Sequence, residues 1–320
     1  MSFIVYITED FERMSEVAAG ILIPKMQVAT VDKLSHFNLG LATGNSPTGL
    51  CDKIVARQDE FNPRMVRSWN LDEYVGLPGD TASERVQHPE SYAYFMISHL
   101  FGRLDPTFLE RNVPAGTEIE QNELEQALSE SSQYVQMDGT DKGKAVRISE
   151  ECDNPYLNFI QTKILQAYVG DIRRKGGIDY WVVGSGGKGH IAFHESGISL
   201  NHEIMLVKLD DNTVDNAVAD GHFPTREKAP NYAISMGAKG VVSYSKNVLL
   251  LANGERKTGP IADSLLGVET ADVPISILQR NILEEYKHTI YVLDEIAARG
   301  ILGKKRVLAD KGIQIKDIRV

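Results

Sequence analysis

Residues 178–197, IDYWVVGSGGKGHIAFHESG, hold the densest group of reactive side chains in the chain: His190, His194 and Glu195 around the apolar patch Ile191, Ala192 and Phe193. An imidazole and a carboxylate at this spacing suit proton transfer near neutral pH. Glycines 184, 186, 187 and 189 precede them, and such residues let backbone N–H groups approach a ligand closely. A second reactive group is the pair Asp72-Glu73 in NLDEYVGLP. Alternation along a strand sends the two carboxylates to opposite sides, so that one faces a pocket while the other anchors structure; the alternative is a solvated surface pair. A third is Thr43-Gly44-Asn45-Ser46 ahead of Pro47. Hydroxyls and free amides at a helix start cradle phosphate, unless the stretch is only an ordinary turn capped by Ser46. Lys257, in NGERKTGP, is either a second phosphate contact or an exposed lysine.

Buried strands must deliver these loops. Short β-rich runs are predicted at 2–7, 37–41, 66–71, 180–183, 204–209, 232–236, 248–252 and 290–293, and helices at 10–26, 48–60, 89–100, 122–134 and 156–175. Strand–helix alternation predicts an α/β fold: a Rossmann-like three-layer sandwich with a mainly parallel sheet flanked by helices. In such sheets ligands bind where strand C-termini meet loops. Gly184, Gly186 and Gly189 with Asp210 match the dinucleotide fingerprint formally, but Gly197 interrupts the short run before the next strand and leaves no room for the required helix, so no dinucleotide is expected.

The 320 residues fit a single α/β domain, 1–320, with a lid insertion at about 121–154, aperiodic over 137–153, and a basic C-terminal extension at about 300–320. A net charge of −10 disfavours a nucleic-acid partner. Cys51 and Cys152 form neither a disulfide framework nor a zinc pattern. The first residues lack the features of a signal peptide and no run reaches transmembrane length, so no membrane partner and a cytoplasmic location are expected.

Taken together and in order, LGLATGNSPTGL, WNLDEYVGLP with HPESYAYFM, GSGGKGHIAFHESG, APNYAISMG and LLLANGERKTGPI resemble the glucosamine-6-phosphate deaminase (isomerase) family over most of the chain. The related 6-phosphogluconolactonases share its fold and phosphate loop. The resemblance implies a phosphosugar-binding enzyme of amino sugar metabolism, without cofactor or metal, that turns glucosamine 6-phosphate or its galactosamine epimer into ketose phosphate and ammonia. It implies that Thr43, Gly44, Asn45, Ser46 and Lys257 hold the phosphate, that Asp72 moves a proton between C2 and C1, that His190 helps open the ring, and that Glu195 orients His190. It also allows a homo-oligomer.

Three positions depart from the family pattern. Lys188 stands two residues before His190, where the family has an aspartate, and would disfavour protonated His190. Lys188 either points to solvent or pairs with Glu195, or it meets a different substrate; the corresponding alternatives are a non-deaminating aldose–ketose isomerase and a phosphosugar-binding regulator. Val214 occupies the position of the family's phosphate-contacting arginine, with Arg226 as a substitute from a shifted loop. His194 replaces an asparagine.

Overall fold

The computed structural model describes residues 2–219 and 221–319; Val320, the last residue of the predicted extension, lies outside them. The strands in chain order are β1 (Phe3–Thr8), β2 (Phe37–Leu41), β3 (Val66–Asn70), β4 (Asp72–Val75), β5 (Glu110–Asn112), β6 (Val135–Asp138), β7 (Lys144–Ile148), β8 (Ile178–Val183), β9 (Ile204–Lys208), β10 (Tyr232–Met236), β11 (Ser245–Ala252), β12 (His288–Asp294) and β13 (Ile313–Asp317). Eight form a sheet in the order β13-β1-β12-β11-β8-β2-β3-β5. Every pairing in it is parallel, as the alternation of strands and helices predicts.

Parallel strands buried on both faces read as continuous apolar runs. Tyr180, Trp181, Val182 and Val183 in β8, and Val248, Leu249, Leu250 and Leu251 in β11, are all buried. One face packs against the helix Phe11–Gln27, which Asp10 caps through a 2.8 Å bond to the Arg13 amide. Its Met14, Ala18, Leu22 and Met26 lie in one apolar cluster with Leu39 and Val182. A buried leucine such as Leu22 contributes about 2 kcal/mol by leaving water. The opposite face packs with Val241, Ile261, Leu265, Ile277 and Ile301.

A second sheet, antiparallel and ordered β4-β10-β9-β7-β6, was not anticipated. The chain passes from one sheet to the other at Leu71, whose amide donates to Leu41 (3.0 Å) and whose carbonyl accepts from Met236 (2.7 Å). Within the segment 121–154 the helix predicted at 122–134 is present as Gln121–Glu130, and the aperiodic stretch after it holds the β6–β7 hairpin, with β7 paired to β9. The β6 strand alternates, Val135-Gln136-Met137-Asp138, but over four residues only, the shortest run that such a rhythm can mark, and directly after the segment predicted as a helix. The basic extension likewise ends in β13, which adds an edge strand beside β1. Two helix starts also differ. The helix predicted at 48–60 begins at Asn45 and ends at Ala56. The helix predicted at 89–100 begins at Tyr92, where Ser91 is the N-cap and the Glu73 carboxylate also takes the Tyr92 and Ala93 amides.

Among the described residues no helix is long and apolar enough to cross a membrane.

Candidate functional site

Strand order brings the site together. Because β8 lies between β11 and β2, the loops after these three strands emerge side by side at their C-terminal ends. They enclose a cavity of about 210 Å³ lined by Thr43, Gly44, Asn45 and Ser46 after β2, Gly184, Ser185, Gly186 and His190 after β8, Lys257 after β11, and Asp72.

In the first loop Gly44, not Ser46, occupies the N-cap position. Its φ of 91° is a left-handed backbone that favours glycine, and it turns the chain into the helix Asn45–Ala56. Ser46 is within the first turn and its hydroxyl donates to the Asn253 amide oxygen at 2.6 Å. The positive end of this helix and its free amides face the cavity beside Lys257. Burial draws the Lys257 pKa down, and the adjacent Arg256 adds to the effect; a bound dianion would relieve both costs.

Asp72 and Glu73 diverge as strand alternation requires. Glu73 is fully buried and accepts from the Tyr74 and Tyr92 amides (2.9 Å each), the Ser91 hydroxyl (2.9 Å) and the Ala93 amide (3.0 Å), so it anchors the helix Tyr92–His99. Asp72 lines the cavity, and burial, with the Glu73 charge behind it, raises its pKa well above the usual carboxylate range.

The β8 loop folds tightly on itself: the Gly186 amide donates to the His190 carbonyl and the Gly189 amide to the Gly186 carbonyl, both at 3.0 Å. The imidazole lies directly over Gly186, where a Cβ would fall 1.7 Å from Nε2. Burial, with Lys257 and Lys188 nearby, brings the His190 pKa down to about 4, so the ring is neutral near pH 7. Ala192 adopts a φ of 52°, and the following Phe193 amide donates to the Ser235 hydroxyl at 3.0 Å. His194 is buried and structural: its Nε2 bonds the Ile198 carbonyl (3.1 Å) and its Nδ1 accepts from the Ala238 amide (3.0 Å).

Three placements differ from expectation. Glu195 does not hold His190 by a hydrogen bond; its carboxylate accepts from the Asp210 amide (3.0 Å) and the Thr213 hydroxyl (2.7 Å). The two residues instead line a separate small cavity, and burial pushes the Glu195 pKa to about 7. Lys188 is largely exposed, as its solvent-pointing alternative has it, but it neither lines the principal cavity nor pairs with Glu195; its amine lies 3.2 Å from Asp141 and 3.8 Å from Asp210. Arg226 does not take over for Val214. It is bound to Asp211 (3.0 Å), Asp215 (3.2 Å) and Asn231 (2.7 Å), while Val214 is buried in an apolar cluster.

Tyr92 and Phe193, not singled out in the sequence as cavity residues, also line the principal cavity, with their rings stacked at 5.7 Å. The signal available was their place in the motifs: Tyr92 lies in HPESYAYFM and Phe193 in GSGGKGHIAFHESG. Among the described residues no group of three or more His, Cys, Asp and Glu side chains is arranged to hold a metal ion.

No protein-family model matches the chain. A Bacillus subtilis (strain 168) protein named glucosamine-6-phosphate deaminase 2 is 31% identical over 290 residues, covering 88% of this chain and 95% of that protein. A Clostridium botulinum (strain Langeland) glucosamine-6-phosphate deaminase is 28% identical over 296 residues, covering 92% and 97%. Among solved structures, a monomeric glucosamine-6-phosphate deaminase superposes with a TM-score of 0.66 at 23% identity, covering 92% of this chain and 98% of that one. A Leishmania guyanensis 6-phosphogluconolactonase superposes with a TM-score of 0.59 at 16% identity, covering 94% and 99%. The two structural likenesses concern the fold; the sequence identity and coverage reach further, and the chain belongs to the glucosamine-6-phosphate deaminase family.

Proposed function

We propose that the protein is an amino-sugar phosphate deaminase that converts glucosamine 6-phosphate, or its galactosamine epimer, to ketose 6-phosphate and ammonia. The observation that carries this reading is one cavity in which a helix N-terminus and Lys257 stand together with an acidic group, Asp72, and an imidazole, His190. The first pair suits a sugar phosphate, and the second suits proton transfer at the sugar's other end.

The phosphate binds Thr43, Gly44, Asn45, Ser46 and Lys257. Neutral His190 accepts the proton of the anomeric hydroxyl and passes it to the ring oxygen, opening the ring. Asp72 takes the C2 proton while O1 takes up the proton that the substrate's ammonium group gives up, giving an enaminol. Return of the proton from Asp72 to C1 leaves C2 as an iminium carbon. Water adds its oxygen there, the C2–N bond breaks with its electron pair going to nitrogen, and ketone and ammonium form. The raised pKa of Asp72 makes it a stronger base than an exposed carboxylate, as removal of a carbon-bound proton requires. Tyr92 and Phe193 wall the cavity with aromatic surface.

The experiment is ammonia release by the purified protein from glucosamine 6-phosphate and galactosamine 6-phosphate in parallel, with binding of each followed by thermal shift. Release from one of them is expected and identifies the epimer. Binding of both without release, accompanied by aldose–ketose interconversion of another phosphosugar, would replace this reading with a non-deaminating isomerase. Binding without turnover of any kind would point to a regulator.

A further inference from the structure

Among the described residues His190 is the one that lines both the principal cavity and a second one, of about 120 Å³, on the Lys188 side of the loop. The second cavity is walled by the carboxylates of Asp141, Glu195 and Asp210, with Lys188 as its basic side chain and Thr213 holding Glu195 in place. The β6–β7 hairpin closes it from above: a Cβ at Gly143 would fall 2.2 Å from Glu195 Oε2, and the Thr140 amide donates to the Gly197 carbonyl at 2.9 Å. Outward it continues into a cavity of about 460 Å³ that shares Asp141, Gly187, Lys188 and Ser196 and adds the carboxylates of Asp263 and Asp272.

The other side of the site has the opposite charge. There the principal cavity shares Asn45, Ser46 and Lys257 with an open cavity of about 630 Å³ to which Arg256 and His222 contribute, against one carboxylate, Glu255. A dianionic sugar phosphate is drawn to the basic side and repelled from the acidic one, whereas a small cation is drawn the other way. The inner cavity has room for a few water-sized molecules.

We propose that this chamber is the ammonium exit of the site. Resting on the deaminase reading above, ammonia released from C2 takes up a proton, crosses into the chamber beside His190, and leaves between Lys188 and Asp141. Lys188, whose side chain is 58% exposed, is the bar across the exit, held by Asp141 and Asp210. The basic and acidic mouths let phosphosugar and ammonium travel by separate routes.

Amination of the ketose phosphate, the reverse reaction, reads the route directly. The Asp263→Asn/Asp272→Asn double variant should raise the KM for ammonium about five-fold with the KM for ketose phosphate unchanged. Lys188→Met, which removes the competing cation, should lower the KM for ammonium. Crystals soaked in thallium(I), a monovalent cation close in size to ammonium, should show an anomalous peak between Glu195 and Asp210, a readout independent of turnover. An active enzyme whose KM for ammonium is unmoved by both variants, with no thallium in the chamber, would overturn the proposal. Wild-type protein inactive in both directions would instead overturn the deaminase reading, and with it ammonium as the ligand.

Discussion

The Ser46 hydroxyl donates a 2.6 Å hydrogen bond to the Asn253 side-chain oxygen and so joins the loop after β2 to the loop after β11 across the end of β8. Both ends of the proposed phosphate cradle, the helix N-terminus and Lys257, are fixed relative to each other by this bond. Removing it with Asn253→Ala should cost about 1 kcal/mol of binding, roughly a five-fold rise in KM with kcat nearly unchanged, since a phosphate contact is made in the ground and transition states alike. Steady-state kinetics decide it; an equal loss in kcat would mean that the bond serves the chemical step instead.

Asp72→Asn should abolish turnover, by about a thousand-fold or more, because the amide cannot accept the C2 proton. Binding of the phosphosugar, followed by thermal shift, should survive. Wild-type rates in this variant would remove Asp72 from the mechanism.

Gly186→Ala should displace the His190 ring, since the new methyl would occupy the space of Nε2. A shift of about 1 Å in a catalytic group costs on the order of a hundred-fold in rate. The fold should persist, as reported by circular dichroism and Tm, because the displaced group faces a cavity and can move. Unchanged kcat would show that His190 has no role at that position.

His194 makes the protein acid-sensitive. Its folded pKa is about 4, lowered first by burial from 6.5, and its neutral ring is fully engaged: a proton on Nδ1 would oppose the Ala238 amide. As pH falls from 6.5 toward 4 the unfolded chain takes up a proton that the folded chain refuses, so stability falls through that window, by roughly 3 kcal/mol for this residue. His194→Asn should lose this dependence. Urea denaturation of both proteins at pH 7 and pH 4.5 measures the difference, and parallel pH profiles would refute the assignment.

Local chemistry made much of the site legible in advance. Strand alternation alone separates Asp72 from Glu73, and a polar Thr-Gly-Asn-Ser run ahead of proline starts a helix whether or not anything binds there. The details of that start were less legible: Gly44 takes the cap because its φ of 91° suits glycine, and Ser46 is left free to reach Asn253. The β6–β7 hairpin was hard to read because the apolar rhythm of β6 spans only Val135 to Asp138, directly after a helical segment, and β7 breaks the rhythm with the adjacent buried pair Ala145-Val146.

The sequence by itself determined the elements and their order: apolar runs long enough for buried parallel strands, amphipathic segments for the helices between them, and glycine-rich loops that end in titratable side chains. Tertiary structure alone decided who meets whom. Placing β8 between β2 and β11 put Lys257, more than two hundred residues from Thr43, beside it in one cavity. Folding the hairpin over the loop gave Lys188 its partner Asp141, and the head of the helix Asp211–Ala219 supplied Thr213 to Glu195. Such pairings depend on strand order and on long-range contacts between distant segments, and a local pattern of residue types carries no record of either.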